Sequence, residues 1–97
     1  MYTGGEQQVP WDVRRAKIAE SIDTVPQWAF EARALLIEVE GHDKLKKIEK
    51  GAFIRCPSLI KLTKMGGVIE IEREAFNGCE ALSDAEFVKV EIIGFGA

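Results

Sequence analysis

The chain has 97 residues, 46% of them hydrophobic and 30% charged, with a net charge of −3. That bounds it to one domain at most, with a composition ordinary for a soluble protein and far from disorder. Its longest purely apolar run, residues 34–37, is too short to cross a bilayer, and interleaved acids and bases leave no basic stripe, so neither a membrane span nor a nucleic-acid partner is expected. The opening Met-Tyr-Thr-Gly-Gly-Glu-Gln-Gln lacks the basic and apolar regions of a secretory signal. The chain is therefore expected to stay where it is made, cytoplasmic by default, and two cysteines make too thin a framework for a disulfide-rich secreted domain.

In chain order, residues 1–12 read as an N-terminal extension or cap, in which Trp11, together with Trp28, is expected to cover the first core layer. Residues 13–24 form a half-repeat. Ala-Phe pairs at 29–30, 52–53 and 75–76, spaced by 23 residues, then mark repeats 25–47, 48–70 and 71–92. Residues 93–97 begin a further, truncated repeat, with Gly96-Ala97 arriving where the Ala of a fourth pair belongs. A fixed period in the twenties is the signature of a solenoid, whose repeats must stack to bury their apolar faces.

Aligned on the Phe, the columns Leu36, Leu59, Leu82 and Val39, Leu62, Ala85 are apolar throughout, and Leu45, Val68 and Ile48, Ile71 close each cycle. Val13, Ala16, Ile22 and Val25 carry the same frame back into the half-repeat. A coil of this length holds one or two short strands, so residues 13–18, 36–41, 59–64 and 82–87 are predicted to stack as parallel strands. A short helical turn is predicted around each Ala-Phe, with Asn77-Gly78 turning the chain. The fold class is thus a β-rich α/β solenoid with one or two short parallel strands and one short helical turn per 22–23-residue repeat.

The segments Ile-Glu-Lys-Gly-Ala-Phe-Ile-Arg-Cys-Pro-Ser-Leu at 48–59 and Ile-Glu-Arg-Glu-Ala-Phe-Asn-Gly-Cys-Glu-Ala-Leu at 71–82 resemble the BspA-type leucine-rich repeat. The resemblance spans nearly the whole chain. It implies a curved, right-handed array with a parallel sheet on one face, an inward thiol ladder, and roles in adhesion and protein binding. Three departures stand out: Arg33 where a Cys belongs, Ala85 for a larger aliphatic, and the incomplete last repeat. The first two are expected to weaken local packing, and the third leaves the capping of the last coil open.

The register places Arg15, Glu38, Lys61 and Asp84 in one outward column, Lys17, Glu40, Thr63 and Glu86 in a second, and Arg14, Ile37, Ile60 and Ser83 in a third. The alternating charge of the first column serves either register control or a recognition stripe. Ile37 and Ile60 form either an exposed apolar spot suited to a protein contact or a pair packed under a neighbouring bend. Cys56 and Cys79, at equivalent positions, are expected on adjacent coils as compact apolar residues, within disulfide reach. His42 beside Asp43 reads as a solvated turn residue, since neighbours on a bend rarely face each other and no nucleophile motif accompanies them.

The expected function is a non-catalytic protein-protein interaction scaffold, the N-terminal fragment of a longer array, with Arg15, Ile37, Glu38, Ile60, Lys61 and Asp84 as its contact residues. The alternatives are structural spacer repeats of a larger protein, or the targeting module of an enzyme whose catalytic domain lies outside the chain. No catalytic residue, metal or cofactor is expected. The edge carrying Ile92, Ile93 and Phe95 is expected to promote end-to-end self-association; the other reading makes these residues a natural last strand.

Overall fold

The computed structural model describes residues 2–3, 9–94 and 96. Eight short strands alternate between two sheets: β1 (Arg15–Lys17), β2 (Thr24–Val25), β3 (Glu38–Glu40), β4 (Lys47–Ile48), β5 (Lys61–Thr63), β6 (Glu70–Ile71), β7 (Asp84–Ala85) and β8 (Ile92–Ile93). The first sheet has the order β1-β3-β5-β7 and the second β2-β4-β6-β8, every pair parallel. Each coil therefore contributes one strand to each sheet and stacks on the coil before it.

The register follows the period of the sequence. Arg15, Glu38, Lys61 and Asp84 are successive partners, as are Ala16, Val39, Leu62 and Ala85. In the second sheet Val25, Ile48, Ile71 and Ile93 align. The inward columns Leu36 and Leu59, Val39 and Leu62, Leu45 and Val68, and Ile48 and Ile71 are buried, as apolar residues recurring at the repeat spacing must be when coil stacks on coil. Ala85, at the last coil, is exposed.

The phenylalanines of the Ala-Phe pairs stack through the interior. Ring centroids of Phe30 and Phe53 are 5.0 Å apart at 15°, and those of Phe53 and Phe76 5.3 Å apart at 3°. Tilted rings close the row at both ends, Tyr2 on Phe30 at 5.1 Å and Phe87 on Phe76 at 6.0 Å. Trp11 and Trp28 do not cover the first layer: Trp11 is 75% exposed, and Tyr2 and Val9 are buried there instead.

Among the described residues there is no helix, so the predicted helical turn is replaced by a run of tight turns. The amides alternate. Ala29 and Glu31 donate within their own coil, to the carbonyls of Pro26 and Trp28, whereas Trp28, Phe30 and Ala32 donate to Lys50, Ala52 and Ile54 of the next. The pattern repeats one coil on, where Gly51, Phe53 and Arg55 donate to Arg73, Ala75 and Asn77. A helix would turn every amide back along its own coil. Left-handed residues at two columns, Trp28, Gly51, Glu74 and Ala32, Arg55, Gly78, rotate alternate peptides outward to the neighbouring coil.

The last strand, β8, pairs Ile92 and Ile93 with Glu70 and Ile71, and both isoleucines are exposed. Phe95, expected to extend this edge, and Ala97, expected in the place of a fourth Ala, lie outside the described residues.

Candidate interaction surface

Between the inward residues of the first sheet, alternate side chains point away from the core. Ion pairs join Arg15 Nε to Glu38 Oε1 at 3.6 Å, and Lys17 and Lys64 both to Glu40 Oε2, at 3.8 and 3.4 Å. The pairs cross from coil to coil, so the N-terminal half of the face is held by its own charges. Lys61 and Asp84, further along the first column, take part in no ion pair among the described residues.

The third column is fixed by backbone bonds: the amide of Ile37 donates to Arg14, that of Ile60 to Ile37, and that of Ser83 to Ile60. Its two isoleucines differ. Ile60 is 45% exposed, whereas Ile37 is half-buried, so the apolar spot is centred on Ile60 beside the unpaired Lys61. The six residues Arg15, Ile37, Glu38, Ile60, Lys61 and Asp84 thus lie on the four neighbouring strands of one sheet, or directly before them.

The second sheet has a network of its own. Lys47 Nζ reaches Glu72 at 3.3 Å and Glu49 at 4.0 Å, and the hydrogen bond to Glu72, with Glu70 nearby, pushes the Lys47 ammonium above its usual range. Glu72 also accepts the Lys50 amide at 3.0 Å. Both oxygens of this carboxylate are occupied within the fold.

An open groove of about 420 Å³ borders the first sheet, lined by Lys17, Glu40, His42, Asp43 and Lys64 among others. His42 is not the solvated turn residue expected from the sequence; it is 6% exposed. Its Nδ1 accepts the Lys44 amide at 3.1 Å, which leaves Nε2–H to donate to the Ile22 carbonyl of the preceding coil at 2.9 Å. The imidazole ties a bend to the coil beneath it. Asp43 is exposed. Among the described residues, no cluster of three or more His, Cys, Asp or Glu could hold a metal ion.

Cys56 is buried and Cys79 half-buried, on adjacent coils, and neither is in a disulfide. Each thiol donates backward to a carbonyl of the preceding coil, Cys56 to Phe30 and Cys79 to Phe53, both at 3.1 Å. The hydrogen bond with Cys79, and then burial, push the Cys56 thiol up, so it is an inert packing group. Arg33 holds the same place in the first coil and does not leave a packing defect. Its Nε and Nη2 donate to the Val9 carbonyl at 3.1 and 2.8 Å, and its Nη1 to the Glu31 carbonyl at 2.7 Å. No signal in the sequence distinguished this use from a simple loss of Cys.

Among the described residues, no helix is long and apolar enough to cross a membrane. A family model described as a BspA-type leucine-rich repeat region, in 6 copies, matches residues 12–97. Among solved structures, the chain is similar to a leucine-rich repeat protein of T. pallidum, with a TM-score of 0.75 and 26% sequence identity over 82% of this chain. The match covers 40% of that protein's chain, so the present sequence spans less than half its length. No curated protein matches the sequence significantly.

Proposed function

The chain belongs to the BspA-type leucine-rich repeat family, and from that premise we propose that it is a non-catalytic protein-protein interaction scaffold. Its contact surface is the outward face of the first sheet, with Arg15, Ile37, Glu38, Ile60, Lys61 and Asp84 as the residues a partner touches. One observation carries this reading. Ile60 stands exposed beside Lys61, and Lys61 and Asp84 have no ion-pair partner among the described residues.

The arrangement suits recognition by an apolar anchor flanked by charge. Burying the rest of Ile60 under a partner contributes about 1 kcal/mol, and Lys61 and Asp84 then fix the register of the contact and reject like-charged competitors. Arg15 and Glu38, already paired with each other at 3.6 Å, contribute less to affinity and more to the shape of the face.

A photoreactive amino acid placed at position 60, in cells expressing the protein, tests the reading. A discrete crosslinked adduct is expected, lost when Lys61→Glu and Asp84→Lys are added, with none from the same probe at Ile69, the exposed isoleucine before β6. Equal adducts from both positions, or none from position 60, refute the assignment, and the latter favours the spacer reading.

A further inference from the structure

Cys56 and Cys79, the chain's two cysteines, stand one repeat apart. The backbone around them is built twice in the same way. Each carbonyl accepts the amide three residues on, Leu59 to Cys56 and Leu82 to Cys79, both at 3.2 Å. Each thiol donates to a carbonyl of the preceding coil at 3.1 Å. The two side chains therefore point the same way from neighbouring coils.

The coils are close at this place. Phe53 and Arg55 donate to the carbonyls of Ala75 and Asn77, at 2.8 and 2.7 Å. The rings of Phe53 and Phe76, three residues before the cysteines, lie 5.3 Å apart and 3° from parallel. A Cβ added to Gly78 would stand 3.2 Å from the Cα of Arg55. Coils stacked at the parallel-strand spacing of about 4.8 Å hold equivalent Cα atoms inside the window of about 4.4 to 6.8 Å that a disulfide spans. The two thiols are already hydrogen-bonded to each other. No third thiol competes, because Arg33 holds the equivalent place in the coil before.

We propose that Cys56 and Cys79 form a reversible disulfide between adjacent coils, made by exchange with a low-molecular-weight disulfide such as oxidised glutathione. The Cys79 thiolate attacks one sulfur of the small disulfide, giving a mixed disulfide and releasing one glutathione thiolate. Cys56 then loses its proton and attacks the Cys79 sulfur, expelling the second glutathione. Two cysteine thiols and one small disulfide thus give one protein disulfide and two small thiols. The protein loses two electrons and two protons, and glutathione gains them. The hydrogen bond between the thiols favours the Cys79 thiolate and holds the Cys56 proton. Capture of Cys79 removes that bond, so Cys56, inert in the dithiol form, is freed for the second step.

The bond closes a loop over residues 57–78 that contains β5 and β6. Ile60 and Lys61 lie in that loop, so oxidation fastens the coil that carries them to the one that follows. The inference is independent of the partner-binding reading, because it rests on the interior of the stack and its readout needs no partner.

Equilibration of the folded chain with reduced and oxidised glutathione, followed by mass spectrometry after acid quenching and by urea unfolding of each form, tests the proposal. The expected product is a monomer that has lost two hydrogens, in which a tryptic digest joins the peptide of Cys56 to that of Cys79. Its ratio to the dithiol form should be at least about tenfold higher in native buffer than in concentrated urea, because stacking supplies the proximity. The urea midpoint of the oxidised chain should rise by about 1 M, a shift that dithiothreitol reverses. Cys56→Ser, which lacks the second thiol, should instead retain glutathione on Cys79. A folded wild type that keeps both thiols free, or that stops at the mixed disulfide, overturns the proposal. So does an oxidised chain with a lower urea midpoint, or a disulfide that forms equally well in urea.

Discussion

Replacing Gly51 with Ala perturbs one coil-to-coil contact that the structure defines closely. Gly51 is left-handed, with φ of 62°, and a Cβ added there would fall on the indole of Trp28 in the preceding coil, 2.9 Å from Cη2 and nearer to two other ring atoms. Two costs follow. An alanine held in the left-handed region costs about 1 kcal/mol. The indole must also swing off the backbone it covers, losing part of its burial and the Lys50 ammonium that lies 5.5 Å from its centroid, for about 1.5 to 2 kcal/mol more. Gly51→Ala should therefore destabilise the protein by about 3 kcal/mol, but by only about 1 kcal/mol in a Trp28→Ala background, where nothing remains to displace. The gain from restricting the unfolded chain is the same in both backgrounds and cancels in the cycle. Urea unfolding of the four proteins, followed by circular dichroism, gives the coupling energy directly. A coupling below about 0.5 kcal/mol would refute the contact, because the two residues would then be independent.

Phe53, fully buried between two stacked rings, should cost about 4 kcal/mol on replacement by Ala, against about 2 kcal/mol for the half-buried Phe76; equal losses in urea unfolding would contradict a row that is strongest in its middle. His42→Ala should cost about 2 kcal/mol by orphaning the Ile22 carbonyl and the Lys44 amide. His42→Gln should recover part of that, and a neutral His42→Ala would show the ring is not a tie. The Cys56 thiol, raised above its usual 9.0 by the hydrogen bond with Cys79 and then by burial, keeps its proton in the folded protein while the unfolded chain loses it. Its stabilising contribution is complete below the unfolded value and declines as pH rises past it, by about 1.4 kcal/mol per pH unit. Chemical unfolding across alkaline pH should show wild type falling more steeply than Cys56→Ala, and parallel curves would exclude the assignment.

The sequence by itself determined the coil. A period of 23 residues sets the columns, and parallel stacking of equal coils then requires residues one period apart to be neighbours. The register Arg15, Glu38, Lys61, Asp84, the buried Val39 and Leu62, and the adjacent cysteines were all legible for that reason. Tertiary structure decided whatever depends on bonds between coils. The run around Ala-Phe favours a helical turn when considered alone, but amides from Trp28, Phe30 and Ala32 find carbonyls on the next coil, and that gain holds Trp28 and Ala32 in a left-handed conformation neither residue type prefers. His42 is buried because a carbonyl twenty residues earlier lies within reach of its ring. Arg33, a departure from the repeat when viewed within its own segment, acquires its role only where Val9 folds back onto the first coil. Local sequence fixes which residues share a column; how a residue that departs from its column is used is settled by what its side chain can reach on a neighbouring segment.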